Sequence, residues 1–313
     1  MQWDFHGVTV RGKTDAPAIR DRWKRAFASR PASVAAPDIV CNLQLGEPTP
    51  LPDRAPDFRQ GELLQYYIDG ETALAHFPRF GQLRLDFAKR YTLGTLTPAA
   101  LENPAAFEDL LAVALSPHLR RRGYFLLHAF AAATRGRGLT SAPGRALLIV
   151  GKIGAGKTTT GMALLASGWQ LLSNDSPIVS AGGGVLSYPG LLAAYPDTLR
   201  RFAATESIAA PESVSKIVFS AEQVWPDVWT ARAPAGVIVF PQIENRSDHA
   251  FEPIAPPEAL ERLLPHAVEQ WDREMMPAHL RVLRELVEAA SAYRLRLGLD
   301  VHALPELLAD LVR

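Results

Sequence analysis

Apolar residues recur along this chain with two periods, and the turn residues between them divide it into a sheet-rich front and a back that alternates strands with helices. Residues 5–10 are apolar enough for a strand. Ile19, Trp23 and Phe27 then follow at intervals of four, which puts three large side chains on one helical face. Trp23 reads as core because its partners share that stripe. From 31 to 56, prolines and polar turn residues interrupt every apolar run except 39–45, so this is a loop holding one short strand. Asp69-Gly70 is a two-residue hairpin turn of the kind that needs positive φ, joining 64–68 to 72–77; alternation over 82–87 adds a third strand. His76 on this sheet has no evident partner nearby in sequence and reads as a surface or satisfied core residue. Asn103-Pro104 opens a helix with the stripe Phe107, Leu110, Leu111, Ala114 and Leu115, ending near Pro117. The run Arg120-Arg121-Arg122 reads as a solvated helix end, with a phosphate or partner contact as the alternative.

The spacing changes after residue 118. One buried strand is expected over 124–131, a polar glycine-containing insert over 134–144, and a second buried strand over 145–150. A helix over 159–166 is closed by Gly168, and an apolar strand runs from Trp169 to polar side chains at 173–175. Residues 181–185 are a glycine turn between strands. A short helix over 197–202 turns Leu199 and Phe202 inward and Arg200 and Arg201 outward. Those arginines and Lys216 are candidates for contact with a phosphate or acidic substrate, against a purely solvated role. Residues 217–219 and 237–240 are expected to add strands to the same sheet. Pro256-Pro257 reads as a linker; helices are expected over 259–264, around Leu280 to Ala290, and over 303–312. The predicted organisation is an α/β protein with a small N-terminal α+β region (1–118) and a larger domain (119–313).

Composition narrows the partners. At 313 residues and 48% hydrophobic content the chain can bury a sizeable core, and 33 Lys+Arg against 33 Asp+Glu leave no global field for nucleic acid or an anionic membrane. The single Cys41 forms no internal disulfide and no thiol cluster has zinc-ligand spacing. A reduced cytoplasmic setting is expected, since the N-terminus lacks a signal-peptide pattern and no apolar run reaches about 18 residues.

Candidate chemistry centres on Gly151-Lys152-Ile153-Gly154-Ala155-Gly156-Lys157-Thr158, which fills every fixed position of G-x-x-x-x-G-K-[ST], the phosphate loop (P-loop). The glycines let successive N–H groups curl toward phosphate oxygens, with Ala155 between them and Thr159 just beyond; Lys157 reaches the terminal phosphates and the Thr158 hydroxyl ligates Mg²⁺. Strand before and helix after are the context that aims a helix N-terminus at an anion. The alternative is a glycine-rich turn with an incidental lysine. Asp175 ends the next strand, at the sheet edge where metal and γ-phosphate belong. Read otherwise, 174–177 is simply a turn.

Leu126-Leu127-His128-Ala129, the loop at 151–158, Gly168-Trp169 and Leu171-Leu172-Ser173-Asn174-Asp175 together resemble the catalytic domain of HPr kinase and its relatives, including HPr-kinase-related proteins associated with peptide modification. The resemblance is dense over 124–190, echoes at 187–189, 235–240 and 293–298, and does not reach the first 100 residues. It implies ATP-dependent phosphorylation of a serine hydroxyl on a peptide or small protein, with Lys157 and Thr158 on triphosphate and metal, Asp175 at the second acidic position and His128 near the reacting phosphate. Two departures stand out. The first of the family's adjacent acids is here Asn174, an amide that cannot serve as a base, and the downstream signature linked to phosphate removal is missing, so no phosphorylase activity is expected. Asp175 or His128 can take over as base; otherwise the chain is a nucleotide-binding regulatory protein with little or no transfer. A small-molecule kinase or NTPase also stays open, as does a homo-oligomer.

Overall fold

The computed structural model describes residues 1–135, 144–202, 216–244, 246–267 and 269–312. The chain is mixed α/β and divides into two compact units, Met1–Tyr124 with Glu269–Met276, and Phe125–Val268 with Pro277–Arg313. The division falls after residue 124 where the spacing placed it after 118. The assignment of 269–276 to the first unit has no periodic signal, because the segment is mostly turns up to the start of a helix at Met276.

The first unit holds β1 (Gln2–Phe5), β2 (Val8–Lys13), α1 (Pro17–Ala26), β3 (Ile39–Leu45), β4 (Phe58–Gln60), β5 (Leu64–Asp69), β6 (Thr72–Phe77), β7 (Gly81–Asp86), β8 (Tyr91–Leu96), α2 (Pro98–Glu102) and α3 (Pro104–Arg120). Its strands form one sheet in the order β1-β2-β3-β8-β7-β6-β5-β4. The apolar stretch at 5–10 is a hairpin rather than one strand, because His6 (φ 58) and Gly7 (φ 91) turn the chain between β1 and β2. The second hairpin turns at Gly70-Glu71, one residue later than expected, since Asp69 pairs with Thr72 and Gly70 carries the positive φ. Ile19, Trp23 and Phe27 are all buried as their stripe predicts. Trp23 lies against Gly12 so closely that a Cβ there would overlap its ring. His76 is half-buried, with its Nδ1 buried and without a hydrogen-bond partner among the described residues.

Helix α3 starts as its sequence directs: Asn103 Oδ1 accepts from the Ala106 N–H at 3.2 Å and Pro104 occupies the first turn. It does not stop near Pro117 but continues through it to Arg120. The arginine run is not a solvated end. Arg120, 2% exposed, donates from Nε and Nη2 to Asp272 Oδ2 at 3.0 and 2.8 Å; Arg121 reaches Asp272 and Glu274, and Arg122 donates to Asp38. Trp271, beside Asp272, stacks on Tyr66 with ring centroids 4.3 Å apart. A buried pair of this kind adds little net stability over apolar packing, but losing one partner strands a charge at a cost of about 3–5 kcal/mol. The last helical turn is therefore locked in spite of the proline.

The second unit holds β9 (Phe125–Leu126), β10 (Ala129–Ala133), β11 (Ala146–Val150), α4 (Lys157–Ala166), β12 (Gln170–Ser173), β13 (Ile178–Ser180), β14 (Gly184–Leu186), β15 (Leu192–Ala194), α5 (Pro196–Phe202), β16 (Ile217–Phe219), β17 (Arg232–Ile243), β18 (Ala250–Ile254), α6 (Pro256–Ala267), α7 (Met276–Ala289), β19 (Ser291–Leu297) and α8 (Leu304–Val312). Its main sheet runs β12-β10-β11-β17-β14-β13-β9, with β19 paired to β17 and β18 to β19. β11, β17 and β19 are mutually parallel. Every residue of β10 and β11 is buried, as in strands covered on both faces. Phe130, Leu147, Ile149, Met162 and Leu164 join one core with α8 residues Leu304 and Leu308.

Three expectations are corrected here. The expected strand at 124–131 breaks at Leu127-His128, because β9 pairs with β13 while β10 pairs with β11 and β12. Residues 217–219 form a separate two-stranded sheet with β15 rather than extending the main one. Pro256-Pro257 is the first turn of α6, where a missing N–H costs no helix bond, rather than a linker. The core of the insert at 134–144, residues 136–143, lies outside the described residues. No helix among the described residues is long and apolar enough to cross a membrane.

His118 on α3 gives the first unit a pH dependence. Its Nε2 meets Thr92 Oγ1 at 3.0 Å, while Nδ1 is buried without a hydrogen-bond partner among the described residues. Burial, then Arg121 and Arg120, push its pKa down from 6.5 to about 4. The unfolded chain thus binds the proton first on acidification. The first unit is expected to keep its stability above pH 6.5 and to lose up to about 3 kcal/mol as pH falls from there to 4. Denaturant melts across that window check this: His118→Gln should flatten the slope, and an unchanged slope would rule the assignment out.

Candidate functional site

The site forms at the carboxyl edge of β11, where strand passes into glycine loop and then helix, the place where open α/β sheets take ligands. Gly154 and Gly156 both have left-handed φ (85 and 92), and Gly156 is the N-cap of α4. Its left-handed φ favours glycine there, and a Cβ would also sit 2.9 Å from the terminal Leu297 Cδ1, which would have to shift. Ala155 N–H closes the loop on Lys152 O at 3.1 Å. The first helical bond is made by Thr160 N–H to Gly156 O, so the amides of Lys157, Thr158 and Thr159 precede any intrahelical acceptor. Thr158 and Thr159 are half-exposed at this first turn.

Lys157 is 8% exposed and its ammonium is fully engaged. It donates to Gly151 O at 2.6 Å and Lys152 O at 3.3 Å, and lies 3.3 Å from His128 Nε2. Burial lowers its pKa from the usual lysine value; Asp175 works against that and Lys216 adds to it. His128 occupies the break between β9 and β10. Its N–H donates to His266 O at 2.8 Å, and its ring lies nearly parallel to that of His266, with centroids 6.0 Å apart. Its Nδ1 is 3.2 Å from Asp175 Oδ2, while Asp175 O accepts from Ala129 N–H at 3.0 Å. An ammonium only donates, so Nε2 is the acceptor and Nδ1 carries the proton facing the carboxylate. The result is a continuous chain, Asp175–His128–Lys157, whose acid end is more than half exposed.

The structure thus joins three of the sequence candidates and sets the fourth apart. Asn174 Nδ2 donates to Leu191 O at 3.0 Å, while its Oδ1 is buried without a hydrogen-bond partner among the described residues. Residues 174–177 make a local turn in which Ser176 N–H donates to Ser173 Oγ at 3.1 Å, while Asp175 turns to His128. His266 was missed. Burial first, then His128, Lys157 and Lys152, lower its pKa. It lies on an amphipathic helix far from the motif in sequence, so periodicity alone gives no reason to select it. Lys216 lies over the Tyr195 ring at 5.4 Å and near enough to Lys157 to bias it, whereas Arg200 pairs with Asp197.

Asn174→Asp is expected to destabilise the second unit by about 1–3 kcal/mol, since a carboxylate would face the Leu191 carbonyl where an amide now donates. Thermal melts at pH 7 and pH 4 check it. A variant as stable as the parent at both would show that the amide contact carries nothing.

Compared with known proteins, the chain matches no family model and no curated protein.

Proposed function

We propose that the chain is a Mg²⁺-ATP-dependent phosphotransferase acting on a hydroxyl, a serine of a peptide or small protein, with a P-loop core like that of HPr kinase. The observation that carries this reading is the Asp175–His128–Lys157 chain at the mouth of a glycine loop that opens a helix. The loop fits a phosphate chain: first-turn amides without a hydrogen-bond partner among the described residues, a buried lysine and a left-handed glycine at the N-cap are the anion-binding parts. Gly151, Gly154, Ala155, Gly156, Lys157, Thr158 and Thr159 would hold the triphosphate, and Thr158 with Asp175 the metal. Bound Mg²⁺-ATP supplies the transferable phosphoryl group.

The residues themselves do the positioning and proton handling. Asp175 holds the proton of His128 on Nδ1, leaving Nε2 as the accepting nitrogen. While Lys157 donates to Nε2 that lone pair is masked. An anion in the loop competes for the lysine and so unmasks the base, coupling occupancy of the nucleotide site to readiness for a hydroxyl proton. In phosphoryl transfer such a base contributes about 10²- to 10⁴-fold, with charge neutralisation and positioning carrying the rest. The serine acceptor rests on the resemblance to HPr kinase. A second reading, nucleotide binding without turnover, is favoured by Asn174, whose amide is committed to Leu191.

ADP formation from Mg²⁺-ATP with a pool of serine peptides tests the reading. Lys157→Ala is expected to lose both ATP binding and turnover. His128→Asn is expected to keep ATP binding and lose about 10²- to 10⁴-fold in transfer. Undiminished ATP binding by Lys157→Ala would remove the phosphate-loop reading, and full turnover by His128→Asn would remove the base.

A further inference from the structure

The sheet order gives the glycine loop two unlike flanks. On one side of β11 lies β10, preceded by His128 and tied to Asp175 through Ala129 N–H; on the other lies β17. β17 outruns its neighbour. Ile149 is paired with Val239, and while β11 ends at Val150, β17 continues to Ile243, its overhang held by β19 through the pairing of Ile243 with Leu297. The overhang stands directly beside the loop. Pro241 Cγ and Cδ are 3.7 Å from where a Cβ on Gly151 would be, and Ile243 Cδ1 and Cγ1 are 3.8 Å from the same position on Gly156.

On the side that approaches the loop the overhang presents Pro241 and Ile243, with an exposed Gln242 between them. Ile243 is 61% exposed at its end, and Ile153 at the tip of the loop is 91% exposed. Leu297 Cδ1 would be 2.9 Å from a Cβ on Gly156, while Ile243 keeps ordinary van der Waals distance to the same point. The polar reacting groups are all on the opposite flank, so a phosphate chain whose terminal group meets His128 and Lys157 leads its other end toward β17.

We propose that the nucleobase of the bound nucleoside triphosphate rests on Ile243 at the carboxyl end of β17, with the phosphate chain running across the loop toward His128 and Asp175. This rests on the phosphate-loop reading above and adds a direction and a base platform to it. A flat ring with two apolar faces covers a branched aliphatic side chain well, and a ledge next to the loop gives the ligand one apolar and one anionic end, as small-molecule sites commonly do.

Inorganic tripolyphosphate has the anionic end without the base, so the pair of ligands isolates the ledge. Calorimetric titration of the full chain with ATP and with tripolyphosphate, for the parent, Ile243→Ala and Ile243→Trp, is the test. The parent is expected to bind ATP more tightly than tripolyphosphate. Ile243→Ala should raise the ATP Kd about fivefold and leave the tripolyphosphate Kd within about twofold, while Ile243→Trp should tighten ATP alone. Equal loss of both ligands in Ile243→Ala, or no loss of either, would overturn the base platform while leaving the loop intact. Binding of neither ligand by the folded parent would remove the phosphate-loop reading and this inference together.

Discussion

A lysine ammonium that is nearly sealed from water has to satisfy its three protons locally, and in the second unit that requirement organises the site. Lys157 meets it with Gly151 O, Lys152 O and His128 Nε2. The first two contacts hold the loop curled over the helix it opens; the third draws in a histidine from the break between β9 and β10. Because Lys157 can only donate, His128 takes the tautomer that faces Asp175, and the backbone bond from Ala129 N–H to Asp175 O ties the acid to the same strand. One buried charge thus determines the orientation of groups from three segments. This is the sense in which the loop is more than a glycine turn: a buried cation, held by two of its own carbonyls and an imidazole, fixes its curvature.

A buried charge plays a different part in the first unit. Arg120 and Asp272 are both nearly inaccessible, and with Arg121 they hold a turn segment against the end of α3. Such a pair specifies geometry more than it stabilises. It keeps a helical turn beyond Pro117 and brings Trp271 onto Tyr66. After burial itself, the same arginines raise the cost of charging His118, so the ion pair adds to the acid sensitivity of this unit.

Much of the local structure was legible in the sequence because it is set by neighbours. The stripe of Ile19, Trp23 and Phe27, the Asn103-Pro104 start of α3 and the passage from β11 through the glycine loop into α4 each depend on residues within a turn or two of one another. The misreadings share a cause as well. Residues 124–131 form a continuous apolar run, yet the chain changes strand partners at Leu127-His128, and nothing within the run marks the place. Arg120 resembles any helix-end arginine until Asp272 arrives from much later in the chain. Pro256-Pro257 reads as a break, although prolines in the first turn of a helix cost it nothing.

The sequence by itself determined the glycine loop, its flanking strand and helix, and the placing of Lys157 and Asp175 near it, because backbone curvature and hydrophobic period are local properties; His128 stood out only through the resemblance to HPr kinase. Only the tertiary structure decided that these three form one hydrogen-bonded chain, that Asn174 turns to Leu191, and that His266 and Ile243 flank the loop. Those relations depend on which strands lie next to which and on how far each extends past its neighbour. Strand order and overhang arise from the packing of the whole unit, and no short window of sequence encodes them.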